Sequence, residues 1–258
     1  MTFWEHLDVF RRSLLRVIAV WVLLAVGFFA AMPWLFDHVV LAPCHHDFVF
    51  YSLLHQIGET VGLSGDFFDR RFDLKLININ LASPFFIHIS TAFWMSVVAS
   101  APYLVYEVWR FVEPALYPNE ERNVRVALGL GTLMFYVGVA VGYFIVYPLT
   151  LRFLASYELS AQVENQISLN SYIDNFMMLI LAMGLLFELP LLAWLLSAMG
   201  FIDRVFLKKY RRHAIVAIFI LAAIITPTGD PFTLAVVAAP LCLLYELGIL
   251  LVKKRKQA

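Results

Sequence analysis

YEVWRFVEPALYPNEER, Tyr106 to Arg122, holds four carboxylates, two arginines, two prolines and four aromatic rings between two long apolar runs. Before it, Leu76–Tyr106 gives 31 residues without a lysine, arginine, aspartate or glutamate; after it, Val126–Leu151 gives 26. A helix needs about 20 apolar residues to cross ~30 Å of hydrocarbon. The quoted segment is therefore a polar, proline-stiffened loop between two membrane spans, and the fold follows from extending that reading along the chain.

The composition agrees. Of 258 residues, 62% are hydrophobic and 15% charged, and mean hydropathy is +0.79, too apolar for an ordinary soluble domain. The net charge is zero, so no bulk basicity points to nucleic acid. Val17–Phe36 is another charge-free run, Asn175–Ile202 is interrupted only by Glu188, and Ala214–Gly229 and Pro231–Val252, the latter holding only Glu246, are divided by Asp230 alone. These predict six membrane helices, roughly 15–36, 84–107, 124–148, 173–197, 213–226 and 232–252, in one all-α domain covering 1–258. The fifth is short, and Pro240 is expected to kink the sixth. A re-entrant hairpin is the alternative for that last pair. Between the spans lie an outer loop at 37–82, an inner loop at 107–123, an outer loop at 149–172, an inner loop at 198–212 and a basic tail at 253–258.

Orientation follows from lysine and arginine. With the N-terminus inside, the inner segments carry fifteen of these residues and the outer segments four. The positive-inside rule then places both termini in the cytoplasm. No cleavable signal peptide is evident. Phe3, Leu7, Phe10 and Leu14 fall at helical spacing, so residues 1–14 are expected to form a helix along the membrane surface.

Catalytic and metal motifs fail. The chain has no phosphate-binding G-x-x-x-x-G-K-[ST] and no H-E-x-x-H. Gly62-Leu63-Ser64-Gly65 fits a G-x-S-G pattern but sits in a polar outer loop. Asp37, His38, Cys44, His45, His46 and Asp47 match no structural zinc spacing and read as a solvated loop. Neither a metal nor a cofactor is expected. Cys44 and Cys242 fall at different depths, so no disulfide is expected between them. Gly138-x-x-x-Gly142 would admit a second helix at close range, within the protein or from another copy.

The ordered motifs HLDVFRRSLL (His6–Leu15), ASPFF (Ala82–Phe86), SAPYLVYEVWRFVEPALYPNEER (Ser100–Arg122), FYVGVAVGYFIVYP (Phe135–Pro148), FELP (Phe187–Pro190) and TPTGDPFT…PLCLLYELG (Thr226–Gly248) resemble the TatC family, the polytopic subunit of the twin-arginine protein translocase. The resemblance implies a curved, glove-like six-helix bundle with helices 5 and 6 short. It implies a non-enzymatic subunit of the inner membrane that binds twin-arginine signal peptides of folded cargo and assembles with the single-span proteins TatA and TatB. Export is then driven by the proton-motive force, and receptor copies assemble into an oligomer in contact with lipid. The N-terminal motif departs from the family's usual H-L-x-E-L-R-x-R-L: Val9 takes the acidic position and Ser13 that of the second arginine.

By resemblance the signal-peptide contacts are Phe111 and Glu120, joined by Trp109, Glu113 and Arg11. Paired arginines suit such a site, because a guanidinium meets a carboxylate in bidentate geometry and stacks on aromatic faces. The alternative use of Glu120 is a carboxylate in the first turn of a helix begun by Pro118. Glu188, an acid at membrane depth, costs about 2.5–3.5 kcal/mol on insertion scales. It is read either as a contact for a partner or an inserted signal, or as a group satisfied internally. Pro43, Pro84, Pro114, Pro118, Pro148, Pro190 and Pro227, with Asp230, are read as structural. The reading from another class is a proton- or ion-coupled transporter using Glu188, against which the halves show no repeat.

Overall fold

The structure, a computed structural model, describes residues 3–62, 72–112, 118–157, 160, 162, 165–198, 202–226 and 228–252. Glu113, Pro114, Pro227, most of the G-x-S-G stretch and the basic tail lie outside the described residues. So do the side chains of Trp109, Phe111, Pro118 and Glu120.

Helices dominate: α1 (Phe3–Leu35), α2 (Val49–Val61), α3 (Ser83–Val112), α4 (Pro118–Val141), α5 (Tyr147–Ser156), α6 (Leu169–Leu186), α7 (Leu189–Ala198), α8 (Arg204–Lys209), α9 (Arg211–Ile225) and α10 (Pro231–Leu251). With the short α2 and α8 set aside, the described residues form six rods, because α4 continues into α5 through a widened π-turn at Gly142–Val146, and α6 into α7 across a break at Phe187 and Glu188. An apolar chain in hydrocarbon must satisfy its backbone within each segment, which helices do. Five of the apolar segments are long enough to cross a membrane unaided. The exception is α9, at 15 residues about 22 Å long. With α10, at 21 residues, it forms the shortest pair of rods. Pro240 stands inside α10, which runs as one helix from Pro231 to Leu251. Residues 1–14 do not form a separate surface helix where described: α1 runs unbroken from Phe3 into the first span.

Prolines mark the irregular turns. Pro148 has no N–H to donate to Phe144, four residues back, and an α-helix there would also clash. The π-turn accommodates it: Tyr147 donates to Gly142, five residues earlier, immediately before Pro148. Pro43 occupies a 3₁₀ turn (Ala42–Cys44), and its carbonyl accepts from the buried Tyr51 hydroxyl at 2.6 Å. Pro84 lies in the first turn of α3 and Pro190 in that of α7, where a missing N–H is tolerated.

Two faces hold the bundle. The inner part of the core packs α4, the π-turn and α6 around Val146, Tyr147, Phe176, Leu179 and Met183, with Val237, Ala238 and Leu241 of α10 behind them. Here glycine decides the geometry. A Cβ on Gly138 would sit 2.5 Å from the Met183 carbonyl oxygen; one on Gly142 would sit 3.1 Å from the Met183 side chain, and one on Gly184 2.9 Å from Phe135. The small-residue pattern in the third span thus serves contact within the protein. The second face joins α1 to α3, where Trp21 meets Phe93 edge-on at 4.7 Å and Phe29 stacks on His88 at 4.1 Å.

The connections at the end where α1 finishes and α3 begins are tied together. Two-residue strands β1 (Leu76–Ile77) and β2 (Ile167–Ser168) pair in parallel, joining the connection before α3 to the one before α6. Tyr143 and Tyr172 donate to the Val39 and Val40 carbonyls. Arg152, buried on α5, has its guanidinium 5.4 Å from the Tyr51 ring centroid and 5.5 Å from that of Phe72. His46 bridges Asp73 and Asp47 at 3.1 Å each, while Cys44 is buried and, like Cys242, free.

Gly138→Ala should lower stability by about 1–3 kcal/mol, because the added methyl meets backbone that cannot turn away. Gly129→Ala, with nothing within 4 Å of the new Cβ, should leave it unchanged or raise it by up to ~1 kcal/mol. Thermal unfolding of both variants in detergent checks the contrast.

Candidate functional site

The end of the bundle where α1 begins and α3 finishes is fixed by one polar cluster. Arg16 donates from Nε to Glu107 Oε1 and from Nη2 to Glu107 Oε2, both at 2.8 Å, a bidentate fork. Nη2 also donates to Ser13 Oγ at 3.0 Å, and the Tyr103 hydroxyl donates to Glu107 Oε1 at 3.0 Å. The Glu107 side chain is 2% exposed and that of Arg16 39%. Such a carboxylate keeps its charge only through these donors. Ser13 and Arg16 are one turn apart, as are Tyr103 and Glu107, so helical spacing puts both pairs on facing sides of α1 and α3. Arg12 pairs with Asp8 at 2.7 Å on the exposed side.

This cluster pins the last turns of α3, in which the backbone carries Trp109, Arg110 and Phe111. The next described helix, α4, begins at Pro118, with Glu120 as its third residue. Arg11 is exposed on α1 and makes no ion pair among the described residues. Glu107 thus finds its base on another helix, 91 positions away in the chain. Sequence reading passed over Arg16 and Tyr103, although a signal existed. Arg16 and Glu107 each border a charge-free run on the same side of the membrane, so both lie at the same depth.

Glu188 sits at the break between α6 and α7, half-buried, and its carboxylate points at α4. A Cβ on Gly131 would lie 3.0 Å from Glu188 Oε2 and 2.8 Å from Leu191 Cδ2. Gly131 therefore leaves the space the carboxylate occupies. The Glu188 carbonyl accepts from Leu192 at 3.0 Å, which closes the new helix across Pro190.

A family model described as Sec-independent protein translocase protein (TatC) matches residues 5–240. The chain belongs to the TatC family. It is 34% identical over 250 residues to Sec-independent protein translocase protein TatC of Blattabacterium sp. subsp. Periplaneta americana (strain BPLAN), covering 96% of this chain and 94% of that one. Two solved structures of a twin-arginine translocase receptor TatC, each 30% identical, superpose with TM-scores of 0.70 and 0.73. They cover 95% and 96% of this chain and 97% and 99% of theirs; the second was crystallised in DDM. The TatC fold is thus the curved six-span bundle, and the chain is a non-enzymatic, multi-pass membrane component of the Sec-independent protein translocase.

At the opposite end, Asp230 caps α10. Its Oδ1 accepts from the Thr233 N–H at 2.7 Å and its Oδ2 from the Thr228 hydroxyl at 2.6 Å, with Gly229 at φ +60° making the turn. Partial burial alone would raise the carboxyl's pKa. The hydrogen bonds from Thr228 and Thr233 outweigh it and hold Asp230 below the usual aspartate range.

Two outcomes are expected. Arg16→Ala should lower the thermal midpoint more than Arg12→Ala, because it strands a buried carboxylate; replacing both Arg16 and Glu107 by leucine should recover most of the loss. Asp230→Ala should cost about 1 kcal/mol as a lost cap. Because the folded pKa is depressed, that difference from wild type should be full above about pH 5 and shrink as pH falls below about 4. Unfolding scans across that range measure it.

Proposed function

We propose that this chain is the receptor subunit of a twin-arginine translocase, gripping the signal peptide of folded cargo at the end of the bundle where α1 begins. What supports the reading most is the Arg16–Glu107 fork. It joins α1 to α3 beside the segment that carries Trp109 and Phe111, so these two positions, and Arg11 on α1, stand on braced helices. Glu113 and Glu120 supply carboxylates for the two guanidinium heads, Trp109 and Phe111 supply ring faces, and Arg11 is the contribution from α1. A free surface pair would gain only about 0–1 kcal/mol. At the headgroup boundary, beside Pro114 and Pro118, such a contact gains more.

The lysine and arginine asymmetry sets this end, with both termini, in the cytoplasm. Glu188 acts as a membrane-depth contact for an inserted signal or for a single-span partner of the TatA or TatB kind. The same subunit scaffolds those partners into an oligomeric complex whose transport draws on the proton-motive force.

Glu120→Lys should weaken binding of a twin-arginine peptide by more than about tenfold, the scale of one charge-assisted contact, while membrane insertion is retained. Photocrosslinkers at positions 111 and 120 should capture an Arg-Arg peptide and not its Lys-Lys counterpart. Unchanged affinity in Glu120→Lys membranes, or equal capture of both peptides, would overturn the assignment.

A further inference from the structure

A groove of ≈ 440 Å³ runs between α7, α8, α9 and α10, lined by Leu189, Leu196, Leu207, Ala217, Leu221 and Leu244 among others. That volume falls within the range of ligand pockets, and its walls are almost wholly apolar. Leu189, Leu192 and Leu196 on the α7 side are 40–51% exposed, so the groove opens sideways toward the surrounding membrane. Its floor is closed by Tyr245, whose hydroxyl donates to the Leu207 carbonyl at 2.8 Å.

The rim at the membrane surface is basic. Arg204, Lys208 and Lys209 lie on α8, and Arg211 and Arg212 open α9. Two acids stand among them, and both are engaged: Asp203 caps α8 by accepting from Phe206, and Glu246 accepts from Arg211. Arg204 Nε is shielded from solvent and has no partner among the described residues. Lys208 and Arg212 are exposed, with no carboxylate in ion-pair range among the described residues. An unsatisfied guanidinium N–H and uncompensated positive charge above an apolar trough fit an amphiphile with an anionic head.

We propose that this groove holds one acyl chain of an anionic phospholipid, its phosphate head resting on Arg204, Lys208 and Arg212. The site is built by helices other than α1 and α3 and does not depend on how a signal peptide is recognised. An apolar partner helix would fill the groove without using the basic rim, and a free phosphate would use the rim without the groove. The lipid uses both.

Native mass spectrometry of the purified full chain, equilibrated with equal amounts of phosphatidylglycerol and phosphatidylcholine, tests it. Wild type should retain one phosphatidylglycerol in preference, and each basic residue removed in Arg204→Gln, Lys208→Gln and Arg212→Gln should weaken retention about fivefold. Ala217 is exposed within the groove, so Ala217→Phe should expel the chain with the rim intact and the fold kept. Lys75→Gln, on an outer loop, should have no effect. Millimolar inorganic phosphate should not displace the lipid. Equal retention of the two lipids, indifference to Ala217→Phe, or full displacement by phosphate would each overturn the proposal.

Discussion

Close approach of backbones is the constraint on which this bundle rests. In a membrane the hydrophobic effect does not drive one helix against another, because lipid tails are as apolar as leucine; association depends on contact and on polar bonds between helices. Gly138, Gly142 and Gly184 make that contact between α4 and α6. The rest of the core, from Tyr147 to Leu241, assembles around the seam so formed. Between α1 and α3, rings and one ion pair perform the same task.

Charged groups near the hydrocarbon are handled in three different ways. Glu107 is neutralised by a fixed fork and two hydroxyl-bearing neighbours. Arg152 is laid against the aromatic rings of the outer loop. Glu188 is given space by an absent side chain at position 131 and is held at a helix break. The first two are structural solutions, since each group is enclosed. The third leaves a half-buried carboxylate beside a glycine, the arrangement most open to a visiting polar group.

Five of the spans were legible because runs of membrane length with no more than one charge are a strong signal, and the short fifth followed from the family motifs falling in order along the chain. Glycine spacing in the third span revealed a close contact, though not that its partner would be the Met183 turn. Other features were hidden for definite reasons. The pairing of Arg16 with Glu107 is a fact of tertiary distance between residues that each look like ordinary boundary charges. The two-residue strands at Leu76 and Ile167 are too short to carry a period. The separate helix expected at the N-terminus failed because Phe3, Leu7, Phe10 and Leu14 share their helical phase with the span that follows, so nothing ends the first helix at residue 14. Of the recognition residues, the loop's acidity and proline content were plain from composition, whereas their roles came from resemblance alone.

The π-turn before Pro148 has a consequence for how the third rod is aimed. One residue more than an α-helical turn is stored between Gly142 and Val146, and each residue advances a helix by about 100°. Everything beyond it is consequently dialled round by that angle relative to α4. The rod is therefore a two-part key whose bits are cut at different azimuths. Removing one residue from that turn would swing Arg152 off the faces of Tyr51 and Phe72, unlatching the outer loop from a site it never touches in sequence.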